Sequence, residues 1–154
     1  MYGSCVTFEG TGILMSNEMD EFSASPGTPN QFGLLGGEAN KIVPEKRPLS
    51  SMTPTIVLKD GEPYFATGSP GGSRIITSVL QSILNIVEFE FEVSDAILAP
   101  RIHHQWYPDV LQLEKSYNSQ HAEALTKKGY EIMKINPATA LQIVMMKNNY
   151  YYGF

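Results

Sequence analysis

The chain has 154 residues, 42% hydrophobic and 18% charged, with a net charge of −5. That length makes one domain or a piece of a larger one, and so few charges suggest that part of the surface meets another chain. The basic residues are scattered, with Lys46-Arg47 the one tight group, which excludes nucleic acid as a partner because phosphate binding needs clustered Lys and Arg.

Cys5 is the sole cysteine, so no internal disulfide can form, and it is expected as a small buried hydrophobe rather than a nucleophile. No apolar run approaches the roughly 20 residues that cross a bilayer. No basic stretch follows Met1, so no signal peptide is expected.

In chain order, residues 5–8 and 13–15 read as short strands around the turn Gly10-Thr11-Gly12. Residues 16–49 hold eight Pro and Gly breakers together with Phe22, Phe32, Leu34 and Leu35 as apolar anchors. An ordered, functional loop is expected there. Thr55-Ile56-Val57-Leu58 and Tyr64-Phe65-Ala66-Thr67 predict a hairpin turning at Asp60-Gly61. A helix starting near Gly71 follows, with apolar residues recurring every three or four positions to Val87, and Ile76, Leu80 and Leu84 are expected to face the sheet. A second helix spans residues 94–99 and stops at Pro100. Residues 109–114 alternate like a strand, and Ser119 is expected to cap a third helix that closes at Gly129. Residues 131–134 and 139–146 read as strands, and Asn148-Asn149 turns into a last strand over 150–154. Hairpin strands with helices grouped between them predict an α+β layered fold.

Four groups of residues could carry chemistry. Gly71-Gly72, at the head of a helix, leaves backbone N–H groups unshielded where the helix has unpaired donors and a favourable dipole. Such a pair suits a carboxylate, a phosphate or an oxyanion, although a plain strand-to-helix turn also needs glycine. Ser50-Ser51, at a strand entry, can donate two hydrogen bonds to one carboxylate or cap the loop. Glu18, Asp20 and Glu21 suit an ammonium group or a metal, or form a solvated turn. Calcium fits poorly, because no glycine stands at the required place. His103-His104 with Asp109 resembles a metal set, but adjacent side chains in an extended chain point apart. Structural roles are therefore expected for them, with Arg101 and Trp106 packing beside them. Ser69 and Ser73 lack a recognisable triad partner. Carboxylates for an ammonium, hydroxyls for a carboxylate and amides for an oxyanion together describe a site for an α-amino acid carrying a reactive acyl group.

The motifs Pro48-Leu49-Ser50-Ser51-Met52-Thr53-Pro54-Thr55, Gly68-Ser69-Pro70-Gly71-Gly72-Ser73-Arg74 and Ala99-Pro100-Arg101-Ile102-His103-His104-Gln105-Trp106 resemble the small subunit of a γ-glutamyltransferase. Gly10-Thr11-Gly12, Asn17-Glu18-Met19-Asp20 and Gly36-Gly37-Glu38-Ala39-Asn40 extend the likeness, which runs almost unbroken from Gly10 to Asp109 and loosens thereafter. The resemblance implies a partial αββα sandwich of the N-terminal-nucleophile hydrolase type. Residues 1–154 would be a fragment of the small-subunit domain, lacking its N-terminal nucleophile strand and its C-terminal end. In that family a precursor cleaves itself, and the small subunit then opens with a threonine. Its hydroxyl attacks the γ-glutamyl carbonyl of glutathione or a related amide, with its own amine as base. Water or an amino acid or peptide acceptor releases the acyl group.

Carried over, Glu18 and the residue at Glu21 would hold the substrate's α-amino group. Ser50 and Ser51 would hold its α-carboxylate, and Gly71 and Gly72 would form the oxyanion hole. Phe32 would tip a lid loop over residues 26–37. The family usually has aspartate where this chain has Glu21, which displaces that carboxylate, and Asp20 should face the other way. The implied partner is the large subunit, with no cofactor and no metal. The family's members are commonly periplasmic, secreted or anchored outside the membrane. The chain alone is expected to be inactive. The other readings are a non-catalytic amino-acid-binding remnant, or a related acylase such as one cleaving glutaryl groups. Glu18 weighs against the latter, since a glutaryl group has no ammonium to bind.

Overall fold

The computed structural model describes residues 3–154, in two units divided between Ser50 and Ser51. In the first unit, backbone hydrogen bonds join Ser4, Val6 and Phe8 to Met15 and Ile13, but only Thr7 and Leu14 form a bridge. The two strands expected there shrink to this one ladder position, because Gly10 and Gly12 at φ +77° and +69° bend the chain too soon. Cys5 is exposed with φ +60°, so the expected burial is corrected.

The 16–49 stretch is an ordered loop. Short 3-10 turns span Glu18–Glu21 and Glu38–Asn40. Between them, the Gly27 N–H donates to the Gly36 carbonyl at 2.8 Å, and Pro29 bridges Leu35. The Asn30 side chain accepts from the N–H groups of Phe32 and Leu34, both at 3.0 Å. These bonds replace the ladder that the prolines and glycines forbid.

In the second unit, the described residues form seven strands and three α-helices. Strands β1 (Thr55–Lys59) and β2 (Glu62–Gly68) make the expected antiparallel hairpin. Asp60 and Gly61 both have positive φ, +55° and +85°, as a two-residue primed turn demands. Strand β6 (Gln142–Lys147) pairs with β2, and β7 (Tyr150–Gly153) pairs with β6, giving a four-stranded sheet in the order β1-β2-β6-β7. The second sheet, β3-β4-β5, uses Ile102–His103, Leu111–Glu114 and Ile132–Ile135. Its β4–β5 pair is parallel, with α3 (Ser119–Lys127) as the crossover. Asn118, not Ser119, caps α3, accepting from the Gln120 N–H at 2.8 Å. Both residues are good caps, and the extended backbone at Asn118 decides between them.

Helices α1 (Arg74–Val87) and α2 (Val93–Leu98) pack on one face of the larger sheet. Phe65, Ile143 and Met145 from the strands meet Ile75, Val79, Ile86, Val93 and Ala96 in the main core. A smaller core lies between the second sheet and α3, around Leu111, Leu113 and Ala122.

The face of α1 is a correction. Ile76, Leu80 and Leu84 are exposed, at 50, 53 and 39%. The buried stripe holds Ile75, Ser78, Val79, Ser82 and Ile86. The apolar arc of α1 is wide enough to offer two faces, and the one with two serines lets the helix approach β2 closely. Ser82 stands 3.4 Å from the Thr67 hydroxyl and donates to the Val79 carbonyl at 2.8 Å, so its burial leaves no polar group unpaired. Among the described residues no helix is long and apolar enough to cross a membrane.

Candidate functional site

Strand β2 ends at Gly68, and Ser69-Pro70 leads the chain into Gly71 and Gly72, with φ of +143° and +58°. Any side chain would strain the backbone there. A Cβ on Gly71 would also stand 2.6 Å from Thr139 Cγ2 and 3.2 Å from the Ala138 carbonyl. The Gly71 and Gly72 carbonyls accept from the N–H groups of Arg74 and Ile75 at 3.2 and 3.0 Å, which starts α1. Their own N–H groups have no acceptor among the described residues. Two adjacent amides at the positive end of a fourteen-residue helix are suited to hold an anion.

Around this turn lies a partly buried polar network. Ser73 donates to Gln105 Oε1 at 2.8 Å, and Arg74 Nε donates to Gln112 Oε1 at 2.9 Å. His103 Nε2 lies 2.9 Å from Gln105 Oε1, and its Nδ1 lies 2.9 Å from the Thr77 hydroxyl. Burial, opposed by the Gln105 hydrogen bond and reinforced by the charge of Arg74 and then of His104, holds the His103 pKa below its ordinary value. His104 instead pairs with Asp109 at 2.9 Å on the surface. The two histidines thus point to different partners, and among the described residues no three His, Cys, Asp or Glu side chains gather as a metal would need. Ser69 donates to the Pro70 carbonyl and Ser73 to an amide oxygen, so neither hydroxyl faces a base. Arg101 pairs with Glu114 at 3.1 Å, largely buried. Trp106 is 71% exposed beside Tyr107 and does not pack as expected.

In the first unit, Glu18 and Glu21 open and close one 3-10 turn, with Glu18 exposed and Glu21 half-buried. The Asp20 carboxylate accepts from the Gln31 N–H at 3.2 Å. Asn40 Nδ2 donates to the Glu21 carbonyl at 2.7 Å, and its Oδ1 accepts from the Leu49 N–H at 3.4 Å. This bond ties the acidic turn to the segment that leads into Ser50. A cavity of about 340 Å³ lies between this turn and the 26–37 loop, lined by Asp20, Glu21, Phe22, Pro29, Leu35 and Leu49 among others. Phe32 is half-buried at the loop's tip, Ser50 is exposed, and Ser51 is buried at the start of the second unit. The structure therefore groups Glu18 and Glu21 in one unit and Gly71 and Gly72 in the other. Gln105, the hub of the network behind the glycines, carried no signal in the sequence beyond its place in the resemblance motif.

A family model described as gamma-glutamyltranspeptidase matches residues 1–154. The chain is 48% identical over 145 residues to a glutathione hydrolase proenzyme of Escherichia coli, covering 94% of this chain and 25% of that protein. It therefore spans about a quarter of the length of the curated relatives it matches. Among solved structures, the T380A mutant of the Helicobacter pylori gamma-glutamyltranspeptidase superposes with a TM-score of 0.94 at 46% identity, covering 100% of this chain and 86% of that one. The enzyme from Pseudomonas nitroreducens gives 0.89 at 36% identity, covering 99 and 81%. The fold is α+β, of the N-terminal-nucleophile hydrolase type. By family model, sequence and structure alike, the chain belongs to the gamma-glutamyltranspeptidase family.

Proposed function

We propose that this chain supplies the substrate-binding and oxyanion-hole part of a γ-glutamyl acyltransferase or hydrolase acting on glutathione and γ-glutamyl amides. The single observation that carries the reading is the Gly71-Gly72 turn, where two unpartnered amides stand at a helix start with no room for a side chain at Gly71. In this reading their N–H groups receive the oxyanion formed when a threonine hydroxyl attacks the γ-glutamyl carbonyl. The threonine's amine takes the hydroxyl proton and passes it to the departing nitrogen, so the C–N bond breaks and a neutral amine leaves as the acyl-enzyme forms. Water or an amino acid or peptide acceptor then regenerates the hydroxyl. Glu18 and Glu21, in one turn, attract the substrate's ammonium. Ser50 and Ser51 donate to its α-carboxylate, and the 26–37 loop with Phe32 covers the site. The partner is a large-subunit chain.

Ser69 and Ser73 are committed to carbonyl and amide oxygens, and Thr77, which meets His103, belongs to the helix-to-strand network and carries no free amine of its own, so the 154-residue chain alone is proposed to be inactive. The test is turnover of a chromogenic γ-glutamyl anilide by the purified chain. It is run with and without a segment carrying the threonine-led strand and the large subunit. Turnover only in the complemented sample is expected. Turnover by the chain alone would refute the assignment. Binding of γ-glutamyl compounds without turnover after complementation would favour a non-catalytic binding module instead.

A further inference from the structure

Helix α1 is held along one side by a row of polar side chains spaced four apart. Ser73 donates to Gln105 Oε1, Thr77 meets His103 Nδ1, and Gln81 brackets Ile102, accepting from its N–H at 3.0 Å and donating to its carbonyl at 2.8 Å. Each partner belongs to β3 or the residues just after it, so the first two turns of α1 are registered on that strand bond by bond. Gln105 is the member nearest the glycines. Its Nε2 donates to the Tyr107 carbonyl at 3.0 Å, which fixes which end of the amide faces inward. Its oxygen then accepts from Ser73 at 2.8 Å, and it can accept from His103 only if Nε2 carries the ring proton. Nδ1 then faces the Thr77 hydroxyl at 2.9 Å, which shares its proton with the Arg74 carbonyl at 3.1 Å.

Ser73 is used in an unusual way. It is the N-cap of α1, and a serine there ordinarily turns its oxygen back to a first-turn N–H. Here the side chain makes no cap bond and is committed to Gln105 instead. Ser73 directly follows Gly72, so its bond to Gln105 anchors the residue next to the two glycine amides.

We propose that Gln105 is a positioning residue for the oxyanion hole: by accepting from Ser73 and His103 together, its side-chain oxygen fixes the Gly71-Gly72 turn at the distance an oxyanion requires. This rests on the reading of that turn given under Proposed function. Oxyanion donors act over a window of about 2.7–3.1 Å, and a misplacement of about 1 Å can cost a hundredfold in rate. A loosened Ser73 leaves the turn chemically intact but free to drift across that window.

The experiment uses the chain assembled with the threonine-led segment and the large subunit, and measures kcat and KM for the γ-glutamyl anilide beside thermal unfolding. Gln105→Ala is expected to lower kcat by about tenfold to a hundredfold while KM stays within about threefold, because the lost contact acts only in the transition state. Ser73→Ala should match Gln105→Ala, and the double variant should be no worse than either, since both remove one strut. His104→Ala, on the neighbouring exposed histidine, should leave kcat unchanged. An unchanged kcat in both Gln105→Ala and Ser73→Ala would overturn the proposal. So would a loss in Gln105→Ala that follows the unfolding temperature across all variants. Gly71→Ala separates the two levels. If it abolishes kcat while Gln105→Ala does not, the strut alone is wrong. If it leaves kcat intact, the oxyanion reading itself is wrong.

Discussion

At the scale of single residues, His103 shows what burial does to a titrating group. Its ring is 6% exposed and faces Thr77 and Gln105, with Arg74 and His104 nearby. Burial first, and the two positive neighbours after the opposing Gln105 bond, hold its pKa below the ordinary 6.5. The unfolded chain therefore takes up a proton near pH 6.5 while the folded chain still resists. Between that pH and the lowered folded pKa, the unfolded state holds more protons, so stability rises with pH. The stabilisation is present above about pH 6.5 and is lost as pH falls through the window, levelling off below the folded pKa. Urea midpoints taken from pH 7.5 to 5 should fall more steeply for the native chain than for His103→Gln, whatever the variant's absolute stability. Equal slopes would show that the ring is not shifted. The glycine pair and the divergence of the two histidines were legible in sequence, because backbone freedom and strand alternation are local properties. Gln105 was not, because an amide's role depends on which donors the fold brings to it. Cys5 was misjudged because thiols are usually buried, whereas here a positive φ in an exposed turn decides.

At the scale of elements, turn chemistry was the most legible feature. Asp60-Gly61 and Asn148-Asn149 each place two successive residues at positive φ, the second pair at +54° and +62°. Both connect antiparallel strands, β1 to β2 and β6 to β7. Asparagine tolerates this conformation through its short polar side chain, whereas a β-branched residue does not. Asn149→Val should therefore destabilise the chain by about 1–2 kcal/mol, and Asn149→Gly should change stability by about 0.5 kcal/mol or less. Thermal denaturation of the two variants side by side checks this, and equal melting temperatures would contradict the turn assignment. Pattern failed where two solutions satisfied it equally. The apolar residues of α1 offered two faces, and close packing of Ser78 and Ser82 on the sheet chose one. The two-residue strand β3 had no periodicity to read, and it forms because β4 and the Gln81 side chain supply its hydrogen-bond partners.

At the scale of the whole molecule, the larger sheet is apolar on both faces. Its inner face carries Phe65, Ile143 and Met145 into the main core. On the other face, Ile56 pairs with Ala66 and Ala66 with Val144, a cross-strand row whose Ile56 and Val144 are 70% and 46% exposed. A sheet of this kind is written for cover on both sides, and the outer stripe of α1, with Ile76, Leu80 and Val87, adds further exposed apolar surface. Exposed apolar patches of this sort mark contact surfaces and, left uncovered, drive association. The chain purified alone should therefore self-associate at micromolar concentration, and sedimentation or light scattering will show it. The double substitution Ile56→Thr with Val144→Thr keeps β-branched residues in the strands while removing apolar contact area. It should shift the chain towards monomer with little change in unfolding midpoint. Phe65→Ala, on the inner face of the same sheet, should instead cost about 3–5 kcal/mol of stability by opening the core. If the native chain is monomeric, or if the outward substitutions destabilise it as much as Phe65→Ala does, the row is not a free surface and the two-sided reading of the sheet fails.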